Sequence, residues 1–180
     1  MNRRQLLLGL ALLLAGPAAA KPQTGLVIHP QPRPLPALDI RDDDGRAAGL
    51  ESLQGRPVLL NLWASWCGPC VAELPTLDRL HARGGTVAVV ALSLDRGGRV
   101  VVRNTYGRLG ITALPVRTDE TRRAAEDLGV PFLPVTLLID RQGREVARFV
   151  GPADWSKADA LLDALAADRP ITADMAPPAP

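Results

Sequence analysis

Residues 57–70 read Pro57-Val58-Leu59-Leu60-Asn61-Leu62-Trp63-Ala64-Ser65-Trp66-Cys67-Gly68-Pro69-Cys70. The first seven form a short, nearly continuous apolar run, the pattern of a strand buried on both faces. Beyond the cysteines the spacing becomes helical, with Val71, Leu74, Leu77 and Leu80 on one side of a helix running from Cys67 to about Ala82. Two cysteines three residues apart therefore lie where a buried strand hands over to a helix. At that position free amide groups and the helix dipole stabilise an anion, and a cysteine thiolate is an anion. The location lowers the Cys67 thiol and activates it, because the thiolate is the species that attacks disulfides. Gly68 permits a tight turn, and Pro69 occupies the first helical turn, where its missing N–H costs nothing. Cys70, one turn on, is placed to close a disulfide with Cys67 and to resolve a mixed disulfide formed there.

Outward from this centre, strands and helices alternate. Ala37–Ile40 and Arg46–Ala48 flank Asp42-Asp43-Asp44-Gly45, a small N-terminal hairpin. Thr86–Leu94 reads as a second buried strand, Arg99–Leu109 as a helix and Leu114–Arg117 as a short strand. Asp119 or Thr121 can cap a helix through Leu128, which Gly129 stops. Val135–Ile139 and Glu145–Val150 form a hairpin about Asp140-Arg141-Gln142-Gly143, and Asp154 or Ser156 caps a last helix through about Ala167. The expected fold is α/β: a three-layer sandwich with a central mixed sheet, an N-terminal β-hairpin and a helical insertion.

The chain has 180 residues, 47% of them hydrophobic and 22% charged, enough for one domain with a substantial core. A net charge of +2 without a basic patch excludes a nucleic-acid binder. Residues 1–20 combine Arg3 and Arg4, the apolar run Leu6–Ala15 and the small residues Ala18-Ala19-Ala20, the pattern of a signal peptide cleaved near Ala20. The competing reading is an uncleaved N-terminal membrane anchor, but the run is about half the length a membrane span needs, so cleavage is the expectation, with no span after it. The twin arginines leave both general and twin-arginine export open. Cleavage removes two arginines and leaves 19 charges of each sign. Residues 21–35, with Pro22, Pro30, Pro32 and Pro34, read as a flexible proline-rich tether, 36–168 as the domain, and 169–180 as a disordered tail.

Three separated motifs resemble the thioredoxin superfamily, over roughly residues 36–166. Trp66-Cys67-Gly68-Pro69-Cys70 is similar to its active-site pentapeptide. Pro75 matches the proline inside its active-site helix, and Leu133-Pro134-Val135-Thr136-Leu137-Leu138-Ile139-Asp140 resembles the segment carrying its cis-proline. The resemblance puts that role on Pro134, with Pro131 as competitor, and implies that the Leu133 backbone docks substrate beside the cysteines, with Trp66 at the rim. Asn61 stands where cytoplasmic thioredoxins usually carry a buried Asp, a pattern similar to the exported TlpA-like and ResA-like branch. That branch often has a Glu where Glu73 stands, which implies a proton relay to Cys70. The competing reading of Glu73 is a surface residue in a first turn, where acids are favoured anyway. Arg96–Gly110 resembles the helical insertion of the branch, and Gly151-Pro152-Ala153-Asp154-Trp155 its approach to the last helix. Val135 and Leu133 depart from the commonest residues beside the cis-proline.

What the resemblance implies is a periplasmic, monomeric thiol–disulfide oxidoreductase. Cys67 is its nucleophile and Cys70 its resolving thiol, and it reduces client disulfides of apocytochrome c or of copper-protein assembly. Electrons come from a membrane thiol–disulfide carrier, and no cofactor or metal is implied. The alternatives are a periplasmic disulfide oxidase and a copper-binding metallochaperone using the same cysteines. His81 lies eleven residues beyond Cys70, about 16 Å along a helix, and His29 falls in the tether, so neither completes a metal site.

Overall fold

Val58–Trp63 is β2, six consecutive residues all buried, as the apolar run requires. The computed structural model describes residues 24–180; the leader read at 1–20 lies outside the described residues. Alternate β2 side chains enter two different cores. Leu59 and Trp63 face one that contains Leu74, Leu77 and Leu80 of α1 (Gly68–Ala82), Val102 and Tyr106 of α2 (Gly98–Leu109), and Leu161 and Leu165 of α4 (Asp159–Ala166). Val58, Leu60 and Leu62 face the other, with Leu38, Ile40, Leu128, Val130 and Ala124 of α3 (Arg123–Asp127). The remaining strands are β1 (Gly25–Pro34), β3 (Ala88–Ser93), β4 (Val135–Ile139) and β5 (Arg144–Val150). Their order is β1-β5-β4-β2-β3, with β2 and β3 parallel and every other pair antiparallel. This is the expected three-layer sandwich on a mixed sheet.

The largest departure is β1. The stretch read as a flexible tether pairs with β5 from Gly25↔Val150 to Ile28↔Ala147, and again at Arg33↔Glu145 and Pro34↔Arg144. Its register shifts between Ile28 and Arg33, so Pro30 and Pro32 fall in the unpaired stretch. An edge strand with an irregularity is where a sheet accepts prolines. His29 is consequently buried, with Nε2 2.7 Å from Glu145 Oε1, while Arg148 donates to both oxygens of the same carboxylate. Burial alone would raise the Glu145 carboxyl, but the hydrogen bonds from Arg148 and His29 outweigh it and hold the group below its ordinary value.

The stretch read as a disordered tail is also ordered. Ile171, Met175 and Ala176 pack on the first core, and Asp154 N donates to Pro178 O at 2.9 Å. These few apolar residues lie too far apart to show any period. The N-terminal hairpin is reduced to one bridge, Arg41↔Ala47, around the Asp42–Gly45 turn. Leu114–Arg117 forms no strand: Asp78 Oδ1 takes the amides of Ala113 (2.9 Å) and Leu114 (2.8 Å), and Pro115 has none to give.

Candidate active site

Where β2 ends at Trp63, Ala64-Ser65-Trp66 carries the chain to α1. Asp95 fixes this passage: Ser65 N and Ser65 Oγ each donate to its carboxylate at 2.8 Å, and Ser93 Oγ donates at 2.9 Å. Cys67 is the N-cap of α1, and its sulfur accepts from Cys70 N at 3.3 Å. Cys67 and Cys70 form a disulfide, their Cα atoms 5.3 Å apart. Cys67 keeps 7% of its surface exposed and Cys70 none, so an incoming thiolate can reach only the Cys67 sulfur. Pro69 lies in the first helical turn and Pro75 inside the helix.

Trp66 is 61% exposed at the rim, with the Arg122 guanidinium 5.4 Å above its ring centroid. Arg122 has a left-handed backbone, φ 65°, and its Nε donates to Leu94 O at 2.9 Å. Left-handed non-glycine residues are uncommon and concentrate at functional sites. The Leu133–Pro134 bond is cis, at Pro134 and not Pro131. Leu62 pairs with Val135 across antiparallel β2 and β4, so Leu133–Pro134 emerges at the same end of the sheet as the Trp66–Cys67 loop.

Glu73 is not a surface residue: its exposure is 0%, on the side of α1 that carries Cys70, Leu74 and Leu77. Its Oε1 accepts from Asn61 Nδ2 at 2.7 Å, and its Oε2 from Ala153 N at 2.9 Å and Trp155 Nε1 at 3.2 Å. Burial pushes the carboxyl up to about 7, and the three hydrogen bonds pull it only part of the way back. A carboxyl near neutrality, buried one turn along the helix from a cysteine, can both take and return a proton. Val71, assigned to the inner side by its spacing, is only half-buried.

Asn61, Thr136 and Trp155 escaped sequence reasoning as members of this cluster. Asn61 Nδ2 also donates to Thr136 Oγ1 at 2.9 Å, across the register pair Asn61↔Thr136. One signal was available: each is the single polar residue inside an otherwise apolar buried strand. Trp155 gave no such signal, since the contact spans 82 residues. Among the described residues no three His, Cys, Asp or Glu side chains are grouped to hold a metal ion. The His81 ring nitrogen Nδ1 lies 3.2 Å from Val89 O, at the far end of α1.

A cysteine pair that cycles between dithiol and disulfide at the start of the first helix of this sandwich defines a thiol–disulfide oxidoreductase. The Redoxin family model matches residues 31–164, and the chain belongs to that family. It is similar to the thiol-disulfide oxidoreductase ResA of Bacillus thuringiensis (strain Al Hakam), 31% identical over 128 residues that cover 71% of this chain and 73% of that protein. It is also similar to the thiol:disulfide interchange protein DsbE of Pseudomonas aeruginosa, 30% identical over 143 residues, 77% of this chain and 78% of that one. Among solved structures, the exposed lipoprotein thioredoxin Etrx1 of Streptococcus pneumoniae superposes with a TM-score of 0.60 at 29% identity, covering 72% of this chain and 98% of that one.

Proposed function

We propose that the protein reduces disulfides of client proteins outside the cytoplasm, with apocytochrome c and copper-protein assembly factors as the client class. The observation that supports it most is the asymmetry of the cysteine pair: one sulfur at the rim, the other buried on the same side of α1 as a carboxyl that burial pushes up to about 7. In the dithiol form the Cys67 thiolate attacks a client disulfide, forming a Cys67–client bond and releasing one client thiolate. Cys70 then passes its proton to Glu73 and attacks the Cys67 sulfur. The second client thiolate leaves, two electrons have moved to the client, and Cys67–Cys70 is a disulfide. Trp66, Leu133 and Pro134 bound the surface on which the client strand docks; Gly68 and Pro69 hold the loop. A membrane thiol–disulfide carrier restores the dithiol.

Export rests on the leader-like residues 1–20, and no helix among the described residues is long and apolar enough to cross a membrane. The test pairs a trap with a potential. Cys70→Ala should accumulate Cys67–client mixed disulfides on a non-reducing gel, and Cys67→Ala should lose disulfide reduction altogether. The Cys67–Cys70 couple should be poised below the glutathione range. A strongly oxidising potential would replace the reductase with an oxidase.

A further inference from the structure

The two oxygens of Glu73 have unlike surroundings. Oε2 faces two fixed donors, Ala153 N and Trp155 Nε1, neither of which can accept a hydrogen bond. Oε1 faces Asn61 Nδ2 alone. A proton arriving on the carboxyl therefore settles on Oε1, because a hydroxyl at Oε2 would confront two N–H groups. On Oε1 it confronts Nδ2, again a donor against a donor.

Asn61 holds the remedy. Its Nδ2 is shared between Glu73 Oε1 (2.7 Å) and Thr136 Oγ1 (2.9 Å), while its Oδ1 is buried without a hydrogen-bond partner. Buried polar atoms without partners are rare enough to call for an explanation. A half-turn of the carboxamide brings Oδ1 to the shared position, where it accepts from the protonated Glu73 and from the Thr136 hydroxyl. Nδ2 becomes the unpartnered end. The Thr136 hydroxyl serves both arrangements, accepting in one and donating in the other. Each orientation leaves one end of the amide idle, so the amide has little preference of its own and the Glu73 proton decides.

We propose that Asn61 is a positioning residue for Glu73: its carboxamide turns end for end with each proton that Glu73 gains or loses, and Thr136 reverses its hydroxyl with it. This deepens the relay reading of Glu73 by giving both protonation states a matched partner. The groups facing Glu73 from other elements are uncharged: Asn61 from β2, Thr136 from β4, Ala153 and Trp155 from the segment before α4. On its own helix the titratable neighbour is Cys70, which the disulfide silences, so in the oxidised protein only Glu73 drives the turn.

The experiment is NMR on uniformly labelled oxidised protein, following the Glu73 carboxyl carbon and the Asn61 side-chain amide through the Glu73 midpoint near pH 7. Above it, the Asn61 amide protons should show cross-relaxation to the Glu73 methylenes and the Thr136 methyl, with a scalar coupling across the Asn61–Glu73 hydrogen bond. Below it, both should disappear. Glu73→Gln, whose amide nitrogen copies the protonated oxygen, should hold Asn61 in the low-pH orientation throughout. Asn61→Leu removes the Oε1 partner of both protonation states, and because the bond to the carboxylate is the stronger of the two it should raise the Glu73 midpoint by about one pH unit at most. An Asn61 amide pattern that stays constant while Glu73 titrates would overturn the proposal, as would a carboxyl that does not titrate near neutrality. If Asn61 turns but Glu73→Gln leaves the pH dependence of Cys70 alkylation in the reduced protein unmoved, the pivot stands and the relay alone is refuted.

Discussion

Replacing Glu73 by glutamine should convert a pH-dependent term in folding into a constant. The carboxyl is lifted from 4.5 to about 7 by burial, so the folded state binds its proton more tightly than the unfolded chain does. The resulting stabilisation is complete below pH 4.5, falls as the pH rises, and has vanished once the pH passes about 7. At about 1.4 kcal/mol per unit, the interval is worth roughly 3 kcal/mol, a large share of the 5–15 kcal/mol typical of a domain. The substitution keeps an acceptor for Ala153 N and Trp155 Nε1 and carries no charge to bury. Urea denaturation of oxidised wild type and E73Q across this range measures it, and the difference between the two proteins cancels every other titrating group. That difference should be flat below pH 4.5, should move in favour of E73Q by about 1.4 kcal/mol per pH unit, and should level off above about 7. A constant difference would refute the reasoning, because it would mean that Glu73 titrates alike in the folded and unfolded chains.

His29→Ala leaves the buried Glu145 carboxylate with Arg148 as its remaining side-chain partner; it should cost about 1–3 kcal/mol in urea denaturation and raise amide exchange along β1 first. Asp95→Ala removes two hydrogen bonds from the loop that presents Trp66 and Cys67, both made by Ser65, and a third from Ser93 of β3; insulin-disulfide reduction should slow and the loop amides should exchange faster. Arg122→Ala takes the cation off the exposed Trp66 ring; the direct loss is about 0.5–1 kcal/mol, and acrylamide quenching of the one exposed tryptophan should rise. Unchanged quenching would show that Arg122 does not hold Trp66 in place.

The sequence displays those parts of the fold that repeat locally. β2 is legible because six adjacent residues are buried on both faces, and α1 because Leu74, Leu77 and Leu80 recur on one side. The cysteine spacing carries the chemistry in five residues. β1 is illegible for a physical reason: an irregular edge strand has no strict alternation, and three prolines remove the donors by which a strand is ordinarily recognised. The carboxyl site is half-legible. Helical geometry puts Glu73 near Cys70, but its burial depends on donors from Asn61, Ala153 and Trp155, which tertiary packing alone brings together. Asn61 and Thr136 stand out as lone polar residues in apolar strands, yet only the antiparallel register shows that they face one another.

The irregular, proline-studded β1 also bears on how the molecule keeps company with its clients. Proteins awaiting disulfide rearrangement are incompletely folded and offer unpaired strands, which zip onto any regular sheet margin they meet. Along the outer margin of this sheet, Pro30, Pro32 and Pro34 have no N–H to extend to such a strand, and the register shift breaks the repeat that remains. Strand addition along the Pro30–Pro34 half of that margin is thereby blocked, and a visiting chain meets a regular ladder only over the four residues Gly25–Ile28.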